Sequence, residues 1–434
     1  MERGTPILWD VVEEHLDEAA FLWHSWERAL ASPIFTLDLV ASGPEERLLA
    51  HLDALVVGGE AVSRRLLEPA LGGTDPGRAF AAAWTLLEAG EEKRVIGALQ
   101  AADDAPRGGI RRAVELSGRP GIEAALLPVA GKGPAAAQAA ALEALAFRGV
   151  DAGEALRAAA AVPGPAVRAA ALRAARLSRA AWVPGMVQAD LSSPDAAVRE
   201  AAIETGLVLG LREAWSACAR FAMAEPPSGR LMLLLALGGD AADQEPLLAA
   251  ASMPRPSREA LFALGFAGRV AGADACLVAV GSEDPATARI AGEAFGAITG
   301  LVIAPPYQAV ETEPEEPVPL EEERLDADLA AGPETDLPLP DAFGVESWWG
   351  RARPGFDPAV RYLGGKPRDA EAVSEALRGG PARRRHALAL ELEIRSKGAL
   401  RLGTRRWARQ QRPLPDGLRS IDLGRPFKAL AKGV

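Results

Sequence analysis

The chain is short of the residues that most often carry chemistry. Among 434 residues there are two cysteines and four histidines. Cys218 and Cys276 have unrelated neighbours, no CxxC and no histidine at ligand spacing, so neither a zinc site nor a disulfide framework follows from them. Two small buried hydrophobes in a reducing compartment are expected. Aromatic residues are few (9 Trp, 2 Tyr and 11 Phe) while alanine abounds, which favours helix over a β-sandwich or barrel. No apolar run approaches the roughly 18 residues of a membrane span. The start, MERGTPILWDVVEEHLDEAAFLW, carries acids where a secretion signal needs a basic start and an apolar core. A cytoplasmic location without membrane contact is therefore expected. GxxxxGK[ST], GxSxG and a strand-borne GxGxxG are missing, and GGPARRR (379 to 385) lacks the preceding strand of a phosphate cradle, so no cofactor is expected.

What is present is ordinary globular material, 49% hydrophobic and 25% charged. At roughly 150 residues per domain, the length allows about three domains or one elongated array. Charge is laid out unevenly. Residues 1 to 310 hold 38 acids and 27 bases, and residues 343 to 434 hold 9 acids and 20 bases. Between them, residues 311 to 342 hold 12 acids against Arg324 alone, with many prolines. That block has too little apolar surface to offset ordering entropy, so a mobile acidic linker or insertion is expected there.

The organising feature is a helix start of the form R-x-A-A-L at Gln138, Arg168, Arg199, Arg230, Arg258 and Arg289, recurring every 28 to 31 residues. Prolines 134, 165, 194, 227, 256 and 285 precede or open these segments, where a helix tolerates them. Gly206, Gly238, Gly265 and Gly296 are expected to close four of them. A second helix is expected between neighbours, as in DAGEALRAAAAV from Asp151 and DAADQEPLLAAA from Asp240. Two helices per 30 residues is the pattern of a helical solenoid, whose pairs bury their apolar faces by stacking. The recurring arginine has two readings. It either pairs with an acid a turn earlier, as Asp195 with Arg199 and Asp284 with Arg289, or bonds to loop carbonyls of the adjacent unit in an internal ladder, or else lines an inner surface that grips acidic or phosphate ligands.

These strings resemble HEAT-like repeats of the short kind over residues 75 to 300 and 370 to 397. A more specific resemblance lies in WDVVEEHLDEAAFLWHSWERAL (9 to 30), EERLLAHLDALVVGGEAV (45 to 62), RYLGGKP (361 to 367) and RRRHALALELEIRS. Together they are similar to a proteobacterial family of HEAT-like proteins often encoded near type VI secretion spike and effector genes. The resemblance implies an all-α superhelix and a role beside secretion proteins, and transfers no catalytic residue.

Two candidate chemistries remain. His15 and Glu18, with His51 and Asp53 on a neighbouring helix, could form half of a metal site, against a reading in which His15 and His51 bond at the seam of a helical hairpin whose core holds Trp9, Trp23 and Trp26. HEAT-like iron hydroxylases use repeated His-Glu dipeptides, and this chain has none. The basic region of Arg383, Arg384, Arg385, Arg401, Arg405, Arg406, Arg409 and Arg412 around Trp407 could bind nucleic acid, an acidic partner or the acidic block. The expected architecture is an N-terminal helical cap (1–72), HEAT-like repeats (73–304), an acidic Pro-rich linker (305–342), a C-terminal repeat unit (343–412) and a basic tail (413–434). The expected function is a non-enzymatic scaffold or adaptor that binds a protein, such as a secretion effector or spike component, through Arg168, Arg199, Arg230, Arg258, Arg289, Arg383, Arg384, Arg385 and Trp407. A nucleic-acid-binding protein and a metal-dependent enzyme are the alternatives.

Overall fold

The computed structural model describes residues 7–310, 332–411, 414 and 416–430, and over these the chain is all-α. Its one β-hairpin pairs Tyr362–Leu363 with Lys366–Pro367 around Gly364 and Gly365, both at positive φ as a two-residue hairpin turn requires. Two compact units divide the chain. The first takes Met1–Leu30, Phe35–Ala217 and Ser396–Leu414, and the second takes Ala31–Ile34, Cys218–Arg395 and Pro415–Val434. The boundaries expected at 72, 304 and 342 fall inside these units, while that at 412 lies beside the passage from Leu414 to Pro415.

In the first unit the helix starts read from the sequence fall on Ala135–Arg148, Pro165–Ala174 and Ala196–Val208, preceded by Pro76–Glu88 and Asp104–Leu116. These five pack side by side in chain order, while Glu92–Ala101, Ile122–Lys132, Gly153–Ala160 and Val183–Asp190 alternate with them along the chain and lie against them. The row helices are enclosed: every residue from Ala79 to Leu87 is buried. A helix apolar on all sides requires neighbours on all sides. Small residues set the spacing, since a Cβ at Gly109 would run into the Pro76 carbonyl. At the N-terminal end, Trp9–Leu30 packs on Glu46–Val57 and Pro76–Glu88. Trp23 stacks on Phe80 with ring centroids 5.1 Å apart, and buried Trp26 donates to Glu45 at 2.9 Å. Trp9 is only half-buried, with the Arg65 guanidinium 4.1 Å above its ring, so it is not the core residue expected.

In the second unit Gly229–Gly238, Arg258–Ala267 and Pro285–Thr299 form a like row, with Ala241–Ala251 and Val270–Val280 beside them. Every residue from Leu231 to Gly238 is buried. Ala382–Arg395 packs on Gly229–Gly238, and Ala342–Ala352 packs on Val270–Val280. The ends of the acidic block are pinned together: Ala309 donates to the Leu339 carbonyl and Asp341 to the Tyr307 carbonyl, both at 2.8 Å. This is the geometry of an insertion. Residues 311–331, where the block is most acidic, lie outside the described residues.

The repeat glycines are not the stops expected. Gly206, Gly265 and Gly296 lie inside their helices, and Gly238 is the last residue of its helix. A Cβ at Gly206 would come within 2.6 Å of the Ala214 Cβ, and one at Gly265 within 3.0 Å of the Ala294 Cα. Their purpose is close helix approach. The chain instead turns at Gly149, Gly268 and Gly300, which follow the last helical residue at positive φ. The helix starts carry side-chain caps that were not read from the sequence: Asp195, Ser228, Ser257 and Asp284 each cap their helix.

Candidate functional site

The recurring arginines mostly tie the chain to itself. Arg168 bonds to Asp190 and to the Ala160 carbonyl at 2.8 Å. Arg258 reaches forward to Asp284 at 2.9 Å, and Arg289 donates to the Leu337 carbonyl at 2.8 Å. The pairings expected with the acid a turn earlier do not form. Asp195 caps its own helix while Arg199 donates to the Ser193 carbonyl at 2.7 Å, and Asp284 is taken by Arg258 rather than Arg289. Arg230 is exposed. Ion pairs also join successive units where no recurrence was read. Glu143 accepts from Arg111, one unit before it, and from Arg173, one unit after it.

Part of the basic C-terminal region turns inward, which removes Arg384, Arg385 and Trp407 from the expected surface. Arg383 grips both oxygens of Glu293. Arg384 is buried, lies 4.0 Å over the Phe266 ring and donates to the Gly265 carbonyl at 2.9 Å. Arg385, 2% exposed, donates to the Leu377 carbonyl at 2.6 Å. Trp407 is likewise buried, packed 4.7 Å from Trp26. None of the three buried groups is available to a surface ligand. Arg401 and Arg406 bond to the carbonyls of Ala146 and Phe147, at the end of Ala135–Arg148. Arg405 and Arg409 are exposed, and Arg412 lies outside the described residues.

The reason is the demand of helix ends. The last carbonyls of a helix have no intrahelical donor and carry the negative end of its dipole, so guanidinium groups are favoured there. Arg361 satisfies four such carbonyls, those of Ala236 and Leu237 on one row helix and of Phe266 and Ala267 on the next, at 2.8 to 3.1 Å. Beside it, fully buried Glu391 pairs with Arg368 and Arg395. Burial alone would raise the Glu391 pKa, but Arg368, Arg395 and Arg361 outweigh it and hold the carboxyl below its ordinary value. Sequence reasoning missed this cluster. A signal existed, since Arg384, Leu388, Glu391 and Arg395 share one helix face at i, i+4, i+7 and i+11.

His15 and His51 meet at the seam of their two helices with Nδ1 atoms 3.0 Å apart, as the hairpin reading expected. Burial, followed by the facing His15, holds the His51 pKa below its ordinary 6.5. Among the described residues no group of three or more His, Cys, Asp or Glu is placed to hold a metal ion. Both cysteines are buried, and burial pushes the Cys276 thiol up to about 12 and the Cys218 thiol higher still. Nucleophilic thiolates do not form at such sites.

The second unit also holds a cavity of about 510 Å³. Its floor is the Gly292 and Gly296 face of Pro285–Thr299, and its sides come from Leu301 to Ile303, the Ala370–Gly379 helix and Leu388. The walls are mostly apolar, with Glu293, Arg289, Arg384 and the Lys366–Glu375 ion pair as the charged groups on them. Volume and lining are those of a small-molecule site. Among its lining residues there is no cysteine or histidine. No protein-family model matches the chain, and no curated protein matches it. Among the described residues no helix is long and apolar enough to cross a membrane.

Proposed function

We propose that the chain is a non-enzymatic binding scaffold, a HEAT-like superhelix with an N-terminal helical cap, that holds a protein partner. The observation that carries this reading is Glu143, shared by arginines one repeat before and one repeat after it. Such a bridge belongs to a stack of like units whose common product is an extended surface. The inert cysteines and the histidine pair at a helix seam favour binding over chemistry. The resemblance read from the sequence supplies the class of partner, an effector or spike protein of a type VI secretion system, and a cytoplasmic place of work.

The nucleic-acid alternative loses Arg384, Arg385 and Trp407 to the interior, and nothing specific favours the metal enzyme. The test is reconstitution of the purified full chain with candidate spike and effector proteins, read by size exclusion with light scattering. A complex of fixed stoichiometry is expected, weakened about tenfold by Arg230→Glu or Val278→Glu at exposed positions. A chain that stays alone at micromolar concentrations with every candidate overturns the reading.

A further inference from the structure

We propose, independently of the scaffold reading, that the cavity of the second unit binds a small uncharged molecule that is apolar along its whole length. Such a molecule has a way in. Ile34 and Val302, both of which line the cavity, are 45% and 74% exposed, so its mouth is open to solvent. Behind the mouth the walls carry little bulk. The Pro285–Thr299 helix contributes Gly292, Gly296 and Ala297, and the Ala370–Gly379 helix contributes Ala372 and Ala376. With so little side chain on either helix, about 510 Å³ stays open. The destabilising effect of a void grows with its volume, and water inside this one would meet few polar partners. An apolar molecule replaces that water with contacts on several sides.

Charge on the walls is already matched, which selects against an ionic ligand. Lys366 pairs with Glu375 at 2.7 Å, both oxygens of Glu293 are held by Arg383, and Arg289 donates to the Leu337 carbonyl at 2.8 Å. The Arg384 guanidinium lies against Gly265, Phe262 and Phe266, none of which lines the cavity. An ion entering the cavity would lose its hydration with no open counter-charge to replace it. What the walls offer instead is aliphatic surface, from Leu301, Ile303, Leu337, Leu363 and Leu388. Removal of that surface and of the ligand's own from water is the driving force. At the roughly 30 Å³ that one water occupies in the liquid, the cavity has room for about 17 non-hydrogen atoms.

Fluorescence titration of the full chain with phenylnaphthylamine, an uncharged molecule of that size which brightens on leaving water, tests the proposal. Anilinonaphthalene sulfonate carries the same rings with one negative charge added and is the matched comparison. Saturable one-to-one binding of the uncharged probe is expected, with the sulfonate at least about tenfold weaker. Ala376→Phe, on a half-buried wall position, should fill the cavity and abolish binding while the thermal transition stays in place. Ala297→Leu narrows the space from the other helix, should weaken binding about tenfold, and carries the test if Ala376→Phe does not fold. Val57→Ser, at an exposed apolar position of the first unit, should leave binding unchanged. Four results overturn the proposal: no saturable binding, a sulfonate held as tightly as the uncharged probe, a folded cavity variant that binds like the wild type, or loss of binding in Val57→Ser.

Discussion

The two units solve one problem with different means. Each stacks helix pairs whose apolar faces are matched, and each must then hold the pairs in register and satisfy the carbonyls at their ends. The first unit does this in part with half-exposed ion pairs, such as Arg111 to Glu143 to Arg173, whose side chains are 32%, 27% and 43% exposed, beside enclosed ones such as Arg112 to Glu115. The second uses buried guanidinium groups, with Arg361 on four helix-end carbonyls and Glu391 balancing Arg368 and Arg395 at 0 to 1% exposure. Half-exposed pairs give register at little energetic stake. Buried groups give it at a high stake, because breaking one leaves charge without solvent.

The contrast can be broken most strongly at Glu391. Glu391→Gln removes the only carboxylate of the buried cluster and should cost about 3–5 kcal/mol in urea unfolding. The first unit also has enclosed charged points, the Arg112–Glu115 pair at 7% and 6% exposure and Glu45 among them. Glu45, 1% exposed, accepts from the Trp26 indole and from the amides of Ala408 and Arg409. Glu45→Ala should therefore cost about 2–3 kcal/mol and should raise hydrogen exchange at Ala408 and Arg409. Gly206→Ala probes packing instead, pushing a methyl group onto Ala214 at a cost of about 1–3 kcal/mol by the same measurement. Glu143→Gln should cost less than about 1 kcal/mol, and that loss should shrink in high salt. A Glu143 effect as large as that of Glu391 would erase the distinction between the units.

A pH effect completes the series in the first unit. The folded His51 pKa lies below 6.5, so the unfolded chain takes up its proton first as pH falls. The contribution of the histidine pair is complete above pH 6.5 and is lost as pH drops through the lowered folded value. The thermal midpoint should fall more between pH 7.5 and pH 5.5 in the wild type than in His51→Gln. Glu391 works in the opposite sense of charge. Its folded pKa lies below its ordinary 4.5, so its contribution persists above that pH and is lost only as pH falls through the lower folded value. A midpoint that moves near pH 6 in His51→Gln as much as in the wild type would remove the pair from the account.

Much of the fold was legible because it is written locally. Helix starts followed from proline, and the row helices followed from a 30-residue recurrence of small and apolar side chains. The hydrogen-bonded His15 and His51 could be anticipated because two helix-spaced faces had to meet. The glycines misled because an identical residue serves as a stop or as a contact surface, and only the neighbour decides which: Gly206 meets Ala214, while Gly268 turns the chain. The basic C-terminal region misled for a different reason. A run such as Arg383 to Arg385 reads as solvated charge, since composition does not reveal that the ends of distant helices need donors. Arg361 answers carbonyls about 95 and 125 residues earlier in the chain, a requirement no local pattern contains. The cavity was invisible for the same reason, assembled as it is from helices, a hairpin turn and loop segments far apart in sequence.

The central claim is that Arg361, Arg368, Arg384, Arg385 and Arg395 face inward as part of the fold. Arginine-selective modification of the native chain with phenylglyoxal, mapped by peptide mass spectrometry over time, tests it directly. Arg361, Arg368, Arg384, Arg385 and Arg395 should resist until denaturant is added, while exposed Arg230, Arg405 and Arg409 react at once. Native-state modification of Arg384, Arg385 and Arg395 as fast as that of Arg230 would contradict it.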